Sequence, residues 1–483
     1  MNGTYIAGVW ANGQGDWFER ICPATGTVNW QGNAASAEQV NAAIDCARQA
    51  LPAWRRLSQH DRERILLSYG EAIKGRREAI AMAISKDMGK VLWDALGEAD
   101  AMYGKIQLSI RALHERAGET VDKAAFGQTQ LSHQPHGVMA VFAPFNFPGH
   151  LPNGHIVPAL LAGNTVVLKP SELAPSVTAI MADAFEAAGL PDGVFNIVQG
   201  GHETGAALLN GDINGVLFTG SEKTGLMMHR HFAGRPDIML ALEMGGNNPL
   251  ILWEPADRDA AADIAAQSAF LTTGQRCSCA RRAIIPEGRW GDAVVDGIID
   301  RAKALKIGQW DEENIFMGPL VSEDAAIAAT QFQMNLSKSG GKSLRRLKRL
   351  ERGGGFVSAG IMDVTDARYI ADEELFGPFL QIYRVKTFEQ ALHVANDTRF
   401  GLSAGLVCDD DHYWATAKAE LHAGIVNRNR PTAGASGHLP FGGPGLSGNF
   451  RPGAYYAADY SAWPQASQIA DTAARLTAIG FPD

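Results

Sequence analysis

The period of the apolar positions changes several times along the chain. The first ~35 residues are rich in Gly, Asn, Trp and Thr, hold no long period, and read as short strands and turns. From Ser36 to about Arg116 apolar residues recur at spacings of three and four, as in Ile65, Leu66, Tyr69 and Ile73, which predicts amphipathic helices. Ser36, followed by Glu38 and Gln39, supplies a helix start.

At Gly137 the pattern turns to short, almost wholly apolar runs. Val138–Phe142, Asn164–Leu168, Val194–Val198, Val216–Thr219, Leu240–Glu243 and Pro249–Leu252 are the predicted strands. A helix over Val177–Ala188 ends at Gly189, and Gly163 suits the end of another. Strands that are nearly all apolar, alternating with helices, imply a parallel sheet covered on both faces. The predicted arrangement is doubly wound and dinucleotide-binding, centred on residues ~137–245. After Asp257 a second alternating stretch runs to about Gly443 and predicts a second α/β domain. Within it Lys342–Arg352 carries six basic residues and one acidic residue, and reads either as an anion-binding patch or as one solvated face of a helix.

Length agrees with two large domains, since single cores stop growing near roughly 250–300 residues and the chain has 483. The formal net charge of −9 speaks against a nucleic-acid or membrane-surface partner. The five cysteines, Cys22, Cys46, Cys277, Cys279 and Cys408, are scattered, which suits a reducing compartment and not a disulfide framework. No basic and apolar leader opens the chain and no apolar run approaches the ~20 residues of a membrane span, so a cytoplasmic location is expected.

Five segments carry candidate chemistry. In Gly274-Gln275-Arg276-Cys277-Ser278-Cys279, Cys277 is a candidate nucleophile, which must react as thiolate; a buried structural thiol is the alternative, and a Cys-x-Cys zinc site lacks a second ligand pair. Glu243 ends an apolar run just before Gly245 and Gly246, where backbone turns freely, and is placed for acid–base work. Asn146, among Pro144, Phe145, Phe147 and Pro148, has an amide able to stabilise an oxyanion, or is simply a turn residue. Lys169 and Glu172, just past a predicted strand, are spaced to reach one ribose. Gly220-Ser221-Glu222-Lys223-Thr224-Gly225 opens a helix whose backbone N–H groups attract phosphate, although it lacks the usual glycine fingerprint.

Taken in order, these segments closely resemble those of the aldehyde dehydrogenase superfamily, and the resemblance covers nearly the whole chain. Its Pro-x-Asn-Phe-Pro is Pro144–Pro148, its Lys-Pro-Ser-Glu is Lys169–Glu172 and its Phe-Thr-Gly-Ser is Phe218–Ser221. Its Glu-x-Gly-Gly-x-x-Pro is Glu243–Pro249 and its Gly-Gln-x-Cys is Gly274–Cys277. Its Glu-x-Phe-Gly-Pro is Glu374–Pro378, and its Pro-Phe-Gly-Gly with a later Ser-Gly is Pro440–Gly443 with Ser447-Gly448. Two departures stand near the candidate site: Phe145 where the family often has Trp, and Asn247 where it often has Lys.

The resemblance implies an α/β, aldehyde dehydrogenase-like fold: a Rossmann-type NAD-binding domain (residues 1–116 and 136–245), an α/β catalytic domain (246–443) and an oligomerisation arm with a C-terminal segment (117–135 and 444–483). It implies Cys277 as nucleophile, Glu243 as general base and Asn146, with the Cys277 N–H, as oxyanion donors. For NAD it implies Lys169 and Glu172 at the adenosine ribose, the Gly220–Gly225 turn with Ser221 at the pyrophosphate, Glu374 at the nicotinamide ribose and Phe376 beside it. The Glu172 carboxylate would repel a 2′-phosphate, so NAD is expected over NADP. The implied assembly is a homodimer or dimer of dimers, paired through an arm whose C-terminal strand lies near Tyr455–Tyr460.

The stretches Asn146–His155, Gln275–Arg282 and Ala454–Tyr460 resemble one branch of the family, acting on an N-acylated glutamate semialdehyde with carboxylates far from its aldehyde. Ser278 and the small-residue loop Gly434-Ala435-Ser436 are the candidate carboxylate anchors, and Arg428 and Arg430 candidates for the distal carboxylate or structural residues. His150 and His155 open a helix and are not read as metal ligands. The free amino-acid semialdehyde is the alternative substrate, and a non-catalytic nucleotide-binding or structural relative the alternative of another class.

Overall fold

The computed structural model describes residues 3–475 and 478–480. The N-terminal residues form Thr4–Ile6, Val9–Ala11 and the hairpin Trp17–Ile21 with Val28–Asn33. Four helices follow, Ala37–Arg56, Gln59–Lys74, Arg77–Met88 and Leu92–Arg116. The first starts on a reciprocal capping box between Ser36 and Gln39, which satisfies two of the backbone donors that a helix start leaves without partners.

The first sheet runs in the order Met239–Glu243, Gly215–Thr219, Val138–Phe142, Thr165–Lys169, Phe195–Val198, all parallel, and is extended by antiparallel Thr4–Ile6 and Val9–Ala11. Alternate residues serve two cores. Val138, Ala140, Val167 and Val216 pack with Val40, Ile44 and Leu208 on one face. Met139, Val141, Val166 and Leu217 pack with Leu66, Tyr69 and Ile156 on the other. The chain lays strands outward from Val138–Phe142 on one side, then returns to place Gly215–Thr219 on its other side. That reversal opens a crevice at the carboxyl ends of these two strands.

The second sheet has the order Lys342–Arg345, Gly360–Asp363, Phe379–Val385, Ala280–Pro286, Asn248–Leu252, Ser403–Val407, Ile425–Arg428, parallel except at Lys342–Arg345. Only residues 244–247 separate Glu243, the last residue of a strand in the first sheet, from Asn248, the first of a strand in the second. The carboxyl ends of one sheet therefore face the amino ends of the other.

Two expectations are corrected. Lys342–Arg352 is not a helix face: Lys342–Arg345 is an edge strand. Three of its six cations are matched locally, Lys342 by Asp366, Arg349 by Glu323 and Arg352 by Glu312, which weakens the basis for an anion patch. Residues 457–461 form a short helix, so the C-terminal strand of the arm is Ala462–Ile469 and not the segment near Tyr455–Tyr460. It pairs with Gly127–Pro135, which also pairs with Thr120–Ala124, so the arm has three strands.

Candidate active site

A crevice of about 1010 Å³ runs along the seam between the two sheets. Cys277, Glu243 and Asn146 line it together with Lys169, Glu172, Gly220, Ser221, Glu222, Lys223, Thr224, Glu374 and Phe376. The sequence separates these residues by up to 230 positions; the seam gathers them.

The nucleotide side is built from strand ends. Lys169 ends its strand and is buried, and its Nζ donates to the carbonyls of Pro170 (2.9 Å) and Gly200 (2.7 Å). The half-exposed Glu172 carboxylate stands 3.6 Å from it. Ser221 caps the helix Glu222–His231 by accepting from the Thr224 N–H. Gly225 is not part of the wall: it is buried, and a Cβ there would stand 2.3 Å from Met244 Sδ, so its role is close packing of helix on strand.

The nucleophile side is built from strand beginnings. Cys277 sits in the turn before Ala280–Pro286. Asn248, at the start of the neighbouring strand, donates its amide to the carbonyls of Cys277 (2.7 Å) and Cys279 (2.8 Å). Thr272 and Thr273 hold positive φ (54° and 56°), and Gly274 follows at 69°. A Cβ on Gly274 would stand 2.1 Å from the Gly377 carbonyl, so this position needs glycine. Arg281 donates to the carbonyls of Gly274 (2.7 Å) and Arg276 (3.0 Å) and to Glu374 (2.9 Å), tying the nucleophile turn to the far wall. Gly245 leaves room for Glu374, whose Oε2 would be 1.8 Å from a Cβ there.

Asn146 is buried, and its amide donates to the Gln275 carbonyl at 2.9 Å, which orients it beside the nucleophile turn. Behind it a fully buried pair, Lys90 and Glu98 at 2.6 Å, clamps the loop: Lys90 donates to the Asn146 carbonyl, and Glu98 accepts from the N–H groups of Gly149 and His150. Phe145 meets Phe376 edge to face at 5.7 Å, while Asn247 donates to Asp372 at 2.9 Å, turning the second departure into a structural bond.

Burial pushes the Glu243 carboxyl up to about 7, against the opposing influence of Lys105, the Gly453 N–H and the Thr219 hydroxyl. That value suits a base working near neutrality. Burial, then the charges of Glu374 and Glu243, raise the Cys277 thiol well above its ordinary value. These effects disfavour the thiolate that attack by Cys277 would require. Cys279 is fully buried, with its thiol 3.7 Å from the Leu271 carbonyl. All five cysteines are free.

Ser278 is buried beside Cys277, yet neither it nor Gly434–Ser436 lines the crevice. Arg428 is spent on Asp411 at the carboxyl end of its strand, the opposite end of the sheet from Cys277, and Arg430 belongs to the same turn. His155 bridges Tyr460 (2.9 Å) and Thr219 (3.0 Å). Ser447-Gly448 locks the crossing between the sheets: Ser447 donates to the Gly245 carbonyl (2.8 Å) and accepts from the Met244 N–H (2.9 Å). Sequence reasoning missed Lys105, Lys90, Glu98, Arg281 and Asn248, because a lysine or glutamate at helical spacing looks solvated until its neighbours are known.

Residues 10–463 match the model of the aldehyde dehydrogenase family. The chain is 52% identical to an N-succinylglutamate 5-semialdehyde dehydrogenase of Vibrio cholerae, over 97% of each chain. It is 49% identical to one of a Caulobacter species, over 96% of each. Its structure resembles that of an indole-3-acetaldehyde dehydrogenase complexed with NAD, at a TM-score of 0.91 and 28% identity, covering 97% of this chain and 96% of the other.

Proposed function

The chain belongs to the aldehyde dehydrogenase family, and from that premise we propose that it oxidises N-succinyl-L-glutamate 5-semialdehyde to N-succinyl-L-glutamate with NAD. The observation that carries this reading is the single crevice shared by Cys277, Glu243, Asn146 and the nucleotide-side residues.

The crevice fits a dinucleotide. Its floor is the carboxyl ends of the strands flanking the chain reversal, and a helix of ten residues opens on it at Ser221. Lys169 and Glu172 would hold the adenosine ribose, residues 220–224 the pyrophosphate, and Glu374, with Phe376 packed beside it, the nicotinamide ribose. Bound there, NAD would supply the acceptor for the hydride that leaves the substrate carbon. The sulfur of Cys277 attacks the aldehyde carbon as its proton passes to solvent in the crevice. The Asn146 amide and Cys277 N–H steady the oxyanion, an effect of roughly 3–4 kcal/mol per donor in comparable sites. Loss of hydride leaves a thioester on Cys277. Glu243 takes a proton from water, which attacks the thioester and breaks the C–S bond.

We propose that the enzyme serves arginine breakdown by succinyl transfer in a reducing cytoplasm. The domain limits given above are retained as part of the reading, as is a homodimer or dimer of dimers. The exposed Val121, Phe126 and Trp463 of the arm favour a partner across it. The test is NAD reduction with a panel of semialdehydes. Preference for the succinylated over the free glutamate semialdehyde is expected; the reverse would favour the free amino-acid substrate. Absence of an NADH burst with every aldehyde would leave a non-catalytic relative.

A further inference from the structure

One buried cation near the base has no part in the reaction as written. Lys105, on the helix Leu92–Arg116, is 4% exposed. Its Nζ donates to the Ala454 carbonyl at 2.6 Å. The preceding residue, Gly453, touches Glu243: a Cβ there would stand 1.9 Å from Glu243 Oε1. Ala454 adopts a left-handed φ of 57°, a strained setting for a residue with a side chain, and the same two residues pair with Pro440–Phe441. One two-residue segment thus meets the carboxylate of Glu243 on one side and the ammonium of Lys105 on the other.

We infer that Lys105 is a positioning residue for the hydrolytic step, a buried ammonium that acts with the Gly453–Ala454 segment to keep Glu243 ionised and fixed. The inference rests on Glu243 being the base. The groups facing the pair leave the charge to Lys105. Burial pushes His150 down to about 4 and His155 down to about 3, so both are neutral. Burial holds the Tyr460 phenol protonated. Lys90 is matched by Glu98, and Asp459 by Arg116. Lys105 itself falls to about 8 through burial, opposed by Glu243. Between about pH 7 and 8 the carboxylate and ammonium coexist. Loss of the ammonium raises the Glu243 carboxyl, so a larger fraction is protonated and inactive at neutral pH.

The test follows hydrolysis of the acyl-enzyme against pH in wild type, Lys105→Gln and Lys105→Arg, with the NADH burst recorded separately. In Lys105→Gln the burst should persist while the acid limb of hydrolysis moves up by about one pH unit, a roughly fivefold loss near pH 7 that approaches about tenfold at lower pH. Lys105→Arg should return the limb to its wild-type position. An equal loss at every pH, or the same shift in both variants, would overturn the inference. If Glu243→Gln fails to accumulate acyl-enzyme, the base assignment falls and takes this inference with it. If Glu243→Gln accumulates acyl-enzyme and the Lys105→Gln limb stays in place, only this inference falls. Should Lys105→Gln not fold, Lys105→Met takes its place and is read in the same way, a limb moved up upholding the inference and an unmoved limb overturning it.

Discussion

The two sheets present opposite ends to one crevice. The first offers the carboxyl ends of its strands, where Lys169, Thr219 and Glu243 end their runs. The second offers amino ends, with Asn248 at the start of one strand and Cys277 and Glu374 in the turns before two others. Ligand sites at carboxyl ends follow from open α/β topology, where a chain reversal leaves a gap. No such rule covers the second sheet. Its amino ends reach the site because the chain passes from Glu243 to Asn248 without turning back, and its loops are then held by specific donors, Asn248 and Arg281. Cofactor binding thus depends on topology, and the nucleophile on a few hydrogen bonds.

That contrast breaks most sharply at Cys277. Cys277→Ala should lower aldehyde oxidation by roughly 10⁴-fold or more while NAD affinity, measured by fluorescence titration, stays within about twofold. Cys279→Ala should retain most activity, since its thiol is buried in packing. Parallel loss of NAD binding in Cys277→Ala would show that the two sides are not separable.

The next largest effect is at Glu243, which belongs to the carboxyl-end sheet yet is proposed to serve the nucleophile. Glu243→Gln should slow hydrolysis by roughly 10²–10⁴-fold and leave acylation intact, so mass spectrometry should find the acyl group on the peptide with Cys277. With its carboxyl at about 7, the base is active when ionised, so wild-type hydrolysis should fall as pH drops through about 7. Steady turnover of Glu243→Gln without an adduct would assign the base elsewhere.

The carboxyl-end half was the more readable from sequence, for the same physical reason. Five almost wholly apolar runs give the parallel strands within a residue or so at each end, and the residues just past them line the crevice. Cys277 was found by its motif, but what holds it was not, because Asn248 and Arg281 act across 29 and 93 positions on backbone and carboxylate partners. Burial likewise decides the state of the thiol and the fate of Lys105, and no local pattern reveals it. The arm shows the same limit: Ala462–Ile469 is a polar, exposed strand specified by its partner Gly127–Pro135, whereas the aromatic run before it packs as a helix.

A smaller effect tests the substrate loop. Gly434 has φ 119°, and a Cβ there meets nothing within 4 Å, so Gly434→Val is opposed by backbone strain and not by crowding. If the loop anchors a carboxylate, kcat/KM for the succinylated semialdehyde should fall about 10–150-fold, with little change for a plain aliphatic aldehyde. Equal loss for both substrates would mean the loop only supports the fold. Ser278→Ala should act in the same direction if its hydroxyl shares that carboxylate.

The smallest effect expected lies wholly on the carboxyl-end side. Glu172 is the proposed acceptor for a ribose 2′-hydroxyl; it stands 3.6 Å from Lys169, and its side chain is 48% exposed. Solvent screens an exposed charge, so repulsion of a 2′-phosphate should amount to about 0.2–1 kcal/mol, as for surface pairs. A lost hydroxyl hydrogen bond adds about 0.5–1.5 kcal/mol against NAD. Glu172→Gln should therefore narrow the preference for NAD over NADP by about 3- to 70-fold, the larger part through weaker NAD binding, because glutamine remains a poorer acceptor. The repulsive part should shrink further as salt is raised, and the hydrogen-bond part should not. Acylation and hydrolysis rates at saturating NAD should be unchanged, since no part of Glu172 reaches the nucleophile turn. Competition binding of NAD and NADP at two ionic strengths, beside single-turnover rates, separates these contributions. A change in the hydrolysis rate itself would mean that the two ends of the crevice communicate, and that the division between topology-built and bond-built halves is too sharp.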